Sequence, residues 1–279
     1  MLSIVELSWT DFEKIIKTRL EQDLEFQTNG SFGYRGHSNA EWHLETTLER
    51  HIKSKVRVER YFDFINSIQS KIETFTDRKW KLPSSKNFVD ALKNNPTTLN
   101  DPTFIYMTYL RHFGFPSPLL DWSYSPYVAA YFAFRDSSST AKSVAIYEFF
   151  AGNLARLNSV ADDRAHIFPI TAFPRKNKRH ELQQSFYTIC LKEIDNGIYY
   201  ESHEDPQMIV EDDTEYIKKY ILPASERVMA LHCLQSYNIN AYSLFGTEES
   251  LLETLFLQAY KSKRMTEKQY GLGDDDLWN

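Results

Sequence analysis

The stretch "GFPSPLLDWSYSPYVAAYFAF", residues 114–134, constrains the fold more than any other part of the chain. Pro118 disfavours helix at the residue before it, so "SPLLDWS" reads as extended. Ser125 followed by Pro126 is a helix start, a capping hydroxyl with proline at the first helical position. The apolar run "YVAAYFAFR" then continues as a buried helix. An extended segment therefore turns directly into a capped helix, and Asp121, Trp122 and Ser123 sit where one becomes the other. Asp121 lies between Leu120 and Trp122, where an unpaired charge is costly. It needs a partner, either a distant cation such as Arg35 or the N–H groups opening the next helix.

Around this block the chain reads as alternating but irregular elements. Thr10 with Glu13 fits a capping box, with Phe12, Ile15, Ile16 and Leu20 at helical spacing behind it. "SFGYRGHS" (31–38) reads as a strand entering a turn, and "NAEWHLETTLERHI" as a loop running into a helix. Residues 53–80 carry a helical pattern, and "LPSSKNFVDALKNNP" is a break followed by a short helix. Asp101 and Pro102 open a further helix that stops at Gly114. "SVAIYEFF" (143–150) and "FYTICLKEI" (186–194) are strong strand signals, and "MIVEDDTEYIKKYILP" holds one or two more. "SERVMALHCLQSYNI" and "TEESLLETLFLQAYK" read as amphipathic helices capped by Ser225 and Thr247. Strands separated irregularly by helices favour an α+β fold. No linker breaks the chain, so residues 1–261 read as a single domain, with the motifs at about 30–256 and a loosely held tail at 262–279.

Composition excludes some functions. A net charge of −6 argues against bulk binding of polyanions. No apolar run reaches the roughly 18 residues of a membrane span, and "MLSIVELSWTDFEK" is no secretory signal. Cys190 and Cys233 lack CxxC spacing, which fits reduced thiols in a cytoplasmic protein. Phosphate-binding glycine loops, a nucleophile elbow and zinc-ligand spacings are missing from the sequence, and no metal site is expected.

Several residues carry candidate chemistry. Arg35, between Tyr34 and Gly36, can clamp a phosphate or carboxylate, or pair with a structural acid. Gly36 would permit a turn or the close approach of a ligand. His112 ends a helix, where a histidine serves as dipole partner or catalyst. The basic stretch "FPRKNKRHELQQ" (173–184), with Arg175, Lys176, Lys178, Arg179 and His180, is a solvated loop or a receiver of phosphates or nucleic acid. In the strand expected to follow, Glu181 and Gln183 are two apart and would share one face. Glu211, Asp212, Asp213 and Glu215 read as a turn or a solvated edge.

Taken in order, these pieces resemble the FRG domain family of bacteria and phages. "YRG" at Tyr34–Gly36 matches the motif that names it, and Trp42, Leu44, Leu48 and Arg50 follow as in the family. "RHFGFPSPLLDWSYSPYVAAYFAF" is similar to its second block, with Ser117 and Ser123 where threonine is usual. Arg179 and Gln183 match the third block, with Ser185 in place of glycine, and Ile239 with "LFGTEESLLETL" the last, with Gly246 in place of proline. The resemblance covers roughly residues 30–256.

The FRG pattern is in turn similar, more distantly, to the ADP-ribosyltransferase superfamily. That resemblance implies a mixed sheet core with flanking helices and NAD as substrate. Arg35 would hold the pyrophosphate, and Ser123 and Ser125 would brace the nicotinamide half. Tyr34, Trp122 or Tyr131 would stack on the ligand. Gly36, His112, Asp121 and Arg179 complete the implied binding set, with Arg35, Glu181 and Gln183 as the implied catalytic residues. Gln183 stands where the superfamily has its charged glutamate, and the resemblance leaves Glu181, on the same face, to substitute. The implied activity is NAD cleavage or ADP-ribose transfer by a toxin or phage-defence effector, with a protein or nucleic acid as acceptor. The other reading is a non-catalytic module that recognises a nucleotide, nucleic acid or protein through the same cleft.

Overall fold

A computed structural model describes residues 3–26, 32–94, 102–136, 138–150, 165–170, 178–204 and 217–269. The run Arg175–Lys176 and the acids at 211–215 lie outside them. The chain runs β1 (Ser3–Glu6), α1 (Trp9–Phe26), β2 (Phe32–His37), α2 (Thr47–His51), α3 (Val58–Thr76), α4 (Ser85–Asn94) and α5 (Pro102–His112). It continues through β3 (Leu120–Ser123), α6 (Pro126–Phe134), β4 (Ser143–Phe150), β5 (His166–Ile170), α7 (Lys178–Leu182), β6 (Ser185–Ile194) and β7 (Gly197–Tyr200). The last elements are β8 (Ile217–Pro223), a 3₁₀ turn at Ala224–Glu226, α8 (Arg227–Ser236), α9 (Ala241–Phe245) and α10 (Glu248–Gln269). Among the described residues, eight strands form one mixed sheet in the order β1-β8-β4-β2-β3-β6-β5, with β7 also on β6. The fold is α+β, as the irregular alternation of strands and helices leads one to expect.

Register places two apolar clusters over one face of this sheet. Tyr34 and Ile146 pack under α1, α6, α8 and α9, together with Phe12, Phe134 and Tyr220. Farther along, Tyr187, Ile189 and Leu191 pack under α3, α4 and α5. The opposite face carries Leu120, Trp122, Tyr147, Phe149 and Phe186, covered by Ala40 and Leu44 from the loop after β2. Burial of these side chains contributes roughly 1.5–3 kcal/mol each before the entropy cost of ordering them.

Local signals place most elements. Ser125 caps α6, accepting from the Val128 N–H at 3.3 Å, with Pro126 at the first helical position. Thr46 and Glu49 form a reciprocal capping box on α2. α5 ends at Gly114, whose φ of +83° is the left-handed region that favours glycine. Other local readings need correction. α1 is capped by Ser8, which accepts from the Asp11 N–H at 3.2 Å, and not by Thr10. α8 follows a 3₁₀ turn that takes in Ser225, and its cap position, Glu226, makes no side-chain cap bond. Thr247 does cap α10, through the Ser250 N–H at 3.3 Å.

The largest correction falls at 178–184. The expected strand is the five-residue helix α7, closed by Gln183 N–H to Arg179 C=O at 3.1 Å. Gln184 takes φ +47° and turns the chain into β6. On a helix, residues two apart point to nearly opposite sides. Glu181 and Gln183 therefore do not share a face, and Glu181 is exposed.

Candidate functional site

β2 is a central strand, yet its two edges are paired unequally. It matches β4 over six residue pairs but touches β3 at one, Tyr34↔Ser123. Beyond that pair β2 and β3 part, while β3 stays with β6 from Leu120↔Thr188 to Ser123↔Ser185. The fork opens a cleft of about 480 Å³. Its lining comes from both faces of β2, with Tyr34 and Gly36 from one and Arg35 and His37 from the other. The loop after β2, α2, β3, α6 and the turn before β6 supply the rest.

Arg35 and Asp121 stand at the point of the fork. One Arg35 nitrogen donates at 2.8 Å both to the Asp121 carboxylate and to the Asp121 main-chain carbonyl. The guanidinium thus takes a carbonyl at the point where the strands have separated. Arg111, at the end of α5, donates to the same carboxylate oxygen at 2.6 Å. Thr47 Oγ1 holds Arg111 from behind at 3.2 Å and accepts from the Ser117 N–H at 2.9 Å, tying α2 to the turn after α5. Dense surrounding protein would raise the Asp121 carboxyl, although 45% of its side-chain surface faces the cleft. The charges of Arg111 and Arg35 outweigh that and hold it ionised, well below the usual carboxylate range.

A third guanidinium stands near the cluster of Arg35, Arg111 and Asp121. Arg50, on α2, also lines the cleft, and its side chain makes no hydrogen bond or ion pair among the described residues. Burial and then the neighbouring charges of Arg35 and Arg111 lower its pKa, though it remains a cation. Three guanidiniums thus surround one carboxylate. Glu41 and Glu45 also line the cleft; Glu45 is 3.5 Å from Lys53 and, with Asp121, offsets part of the lowering of Arg50.

His37 accepts from Arg35 Nε at 3.1 Å through Nε2, so its proton sits on Nδ1 and the ring is neutral. Burial, then the charge of Arg35, lowers its pKa to about 3. Below the cleft, Trp122 Nε1 donates to Thr188 Oγ1 at 2.8 Å, and Thr188 meets His203 Nε2 at 2.9 Å. His203 is wholly enclosed and likewise pushed to about 3, first by burial and then by Arg35.

Of the residues singled out from sequence, Tyr34, Arg35, Gly36, Asp121, Trp122, Ser123 and Gln183 line this one cleft. Arg35 and Asp121 pair as one of the sequence readings had it; several of the others serve different roles. Tyr34 and Trp122 are buried core side chains, leaving no open ring face for a ligand. A side chain on Gly36 would collide with the Ala129 carbonyl oxygen and lie 2.6 Å from the Ala133 nitrogen, so this glycine admits α6 and not a ligand. Ser123 donates to the Gln183 carbonyl at 2.8 Å and accepts from the Ser125 N–H at 3.0 Å. Gln183 donates from Nε2 to the Leu244 carbonyl at 3.2 Å.

Five expected site residues lie outside the lining. Ser125 is committed to the α6 cap. Tyr131 is buried and bonds Glu253 on α10 at 3.2 Å. Arg179 lies over the Phe245 ring at 4.3 Å, and Arg135 lies 4.5 Å from the same ring. His112, its pKa lowered by burial and by Arg179, belongs to that region. Glu181 is on the exposed side of α7. Sequence reasoning passed over Arg111, although "RHFGFPSPLLDW" places it ten residues before its partner, and over His37, two residues after Arg35 on the same strand face. Among the described residues no three His, Cys, Asp or Glu side chains converge as metal ligands, and no helix is long and apolar enough to cross a membrane.

Comparison with known proteins agrees with the geometry at one level. No curated protein and no solved structure matches the chain. The family model of the FRG domain matches residues 30–142. That range holds β2, the loop behind it, α2, the Arg111 turn, β3 and α6, and so most of the cleft wall; Gln183 and Ser185 come from beyond it. The fork, its arginines and the glycine that seats α6 therefore lie in the segment that matches the FRG domain, and the chain carries an FRG domain over residues 30–142.

Proposed function

We propose that the cleft binds a nucleotide of the NAD class through its phosphates, with Arg35 and Arg50 as the anion contacts. The observation that carries this is Arg50, a guanidinium lining a concave site with no side-chain hydrogen bond or ion pair among the described residues. A cation left unpaired beside two others is electrostatically unfavourable until an anion joins it. A cavity of about 480 Å³ is in the range that accepts small molecules and cofactors. Asp121 works as the positioning group that fixes Arg35 and Arg111. Its carboxylate is already engaged by both, so it is poorly placed to act as a base.

ADP-ribose transfer is the finer reading. It breaks the bond between ribose C1′ and the nicotinamide nitrogen. Nicotinamide leaves neutral, positive charge develops on the ribose, and water or an acceptor nucleophile captures it with loss of a proton. A carboxylate stabilises that charge, whereas the Gln183 amide has none to offer. Glu181 does not reach the cleft lining. These two observations favour a second reading, in which the site binds the nucleotide without turning it over.

One experiment separates the readings. Purified protein is heated with NAD or ADP-ribose, and nicotinamide release is followed in parallel. Saturable stabilisation of several degrees at a hundredfold excess over Kd is expected for both ligands. Arg50→Ala should weaken it by about tenfold, one charge-assisted contact. Release of nicotinamide supports transfer; binding without release supports recognition. No stabilisation by either ligand overturns the proposal.

A further inference from the structure

We infer that Trp42 is the stacking platform of the cleft, so that its ligand carries a planar aromatic base beside its anionic group. The inference rests on the anion reading above and adds the ring. Tyr34, Trp122 and Tyr131, the aromatics first expected to stack, are all buried. Trp42 is half exposed, at 50%, and lines the cleft with Arg50, eight residues along the same loop and helix.

Single exposed apolar residues are ordinary. Trp42 differs because its backbone is fixed while half of it stays exposed at the cleft. Its N–H donates to the Asn39 carbonyl at 3.2 Å, and its carbonyl accepts from the Tyr147 hydroxyl at 3.2 Å. The next two residues are held by Glu204, through His43 Nδ1 at 2.8 Å and the Leu44 N–H at 2.5 Å. The indole meets the His37 ring edge-on at 6.3 Å and 60°, while half of Trp42 stays exposed. His37 is in turn held by Arg35. The anion contact and the ring are thus linked through one neutral histidine. A large apolar face kept in water on a pinned loop forgoes burial energy and is preorganised for a flat partner. Every nucleobase offers such a face, and indole is the strongest side-chain partner for a cationic ring such as nicotinamide.

The test compares ring-bearing with ring-less phosphates on the full chain. AMP, nicotinamide mononucleotide and ribose 5-phosphate are titrated while tryptophan fluorescence and affinity are measured. At least one ring-bearing probe is expected to bind more tightly than ribose 5-phosphate and to quench emission. Trp42→Ala should weaken that probe by about ten- to a hundredfold, the range for loss of one stacked base. It should leave ribose 5-phosphate unchanged, and Trp42→Phe should keep most of the ring-dependent gain. If Trp42→Ala weakens all three probes alike, or rings confer no advantage in wild type, the platform is refuted while the anion site stands. If none of the three binds, the anion reading falls with it.

Discussion

Along its β4 edge, β2 makes six consecutive pairs, from Phe32↔Phe150 to His37↔Ala145, whereas along its β3 edge it makes one, Tyr34↔Ser123. The paired edge is sealed by main-chain bonds, with Gly36 letting α6 settle against the strand. The forked edge holds charge instead: Arg35, Arg111 and Asp121 stand where the ladder would have continued, and Arg50 faces the cleft beside them. Neighbouring residues of one strand, Arg35 and Gly36, thus serve opposite purposes. What closes the fold and what opens the site are separated by the period-two alternation of a strand, not by distance along the chain.

The sealed side is expected to be the less forgiving. Gly36→Ala drives a Cβ into the backbone of α6, which cannot yield as a side-chain tip can. A loss of about 3 kcal/mol or more is expected, read as a fall in thermal midpoint of roughly 6–12 °C. A variant as stable as wild type would break the contrast at its firm end.

On the forked side, Asp121→Ala leaves Arg35 and Arg111 without their shared anion. A buried pair broken this way costs about 3–5 kcal/mol. Because Asp121 is 45% exposed, about 2 kcal/mol is the expected loss, measured by urea unfolding. Added phosphate should restore part of it by entering among the guanidiniums; an undiminished deficit at high phosphate would count against the charge balance described here.

Acid should act on the fork through its neutral histidines. His37 and His203 are both lowered to about 3, so in the folded state they stay unprotonated while the unfolded chain takes up protons below about 6.5. Their stabilising contribution is complete above about 6.5 and is lost as pH falls toward 3, at about 1.4 kcal/mol per pH unit for each. Asp121, also lowered, adds loss in the same direction below the ordinary carboxylate pKa. Replacing His203 by Asn should flatten the profile between pH 6 and 4 by one histidine's share; an unchanged slope would remove His203 from this account.

The smallest effect on stability sharpens the comparison most. The Arg50 side chain makes no hydrogen bond or ion pair among the described residues, so Arg50→Ala should alter stability by less than about 0.5 kcal/mol. Nucleotide affinity should fall at the same time. A large loss of stability instead would show that Arg50 is structural, and the fork would have lost its free cation.

The sequence determined those parts of this protein that depend on neighbours within a few residues. Ser125 and Pro126 start α6, Gly114 ends α5, and the apolar run 143–150 is β4 from end to end. The need of Asp121 for a cation was legible because it lies between Leu120 and Trp122, and Arg35 was a candidate for it. Short elements resisted. β5 contains Pro169, which argues against a strand, and is accommodated as an edge strand with its pairing to β6 on one side. α7 was read as strand because its few residues carry no apolar period, and the face shared by Glu181 and Gln183 was lost with that strand. Tertiary structure alone decided that β2 would pair fully with β4 and part from β3. Strand pairing is chosen between segments about a hundred residues apart, through the burial of both faces at once, and no local pattern encodes it. For the same reason only the fold could bring Arg35, Arg111 and Arg50 to one carboxylate and leave the last of them facing an open cleft.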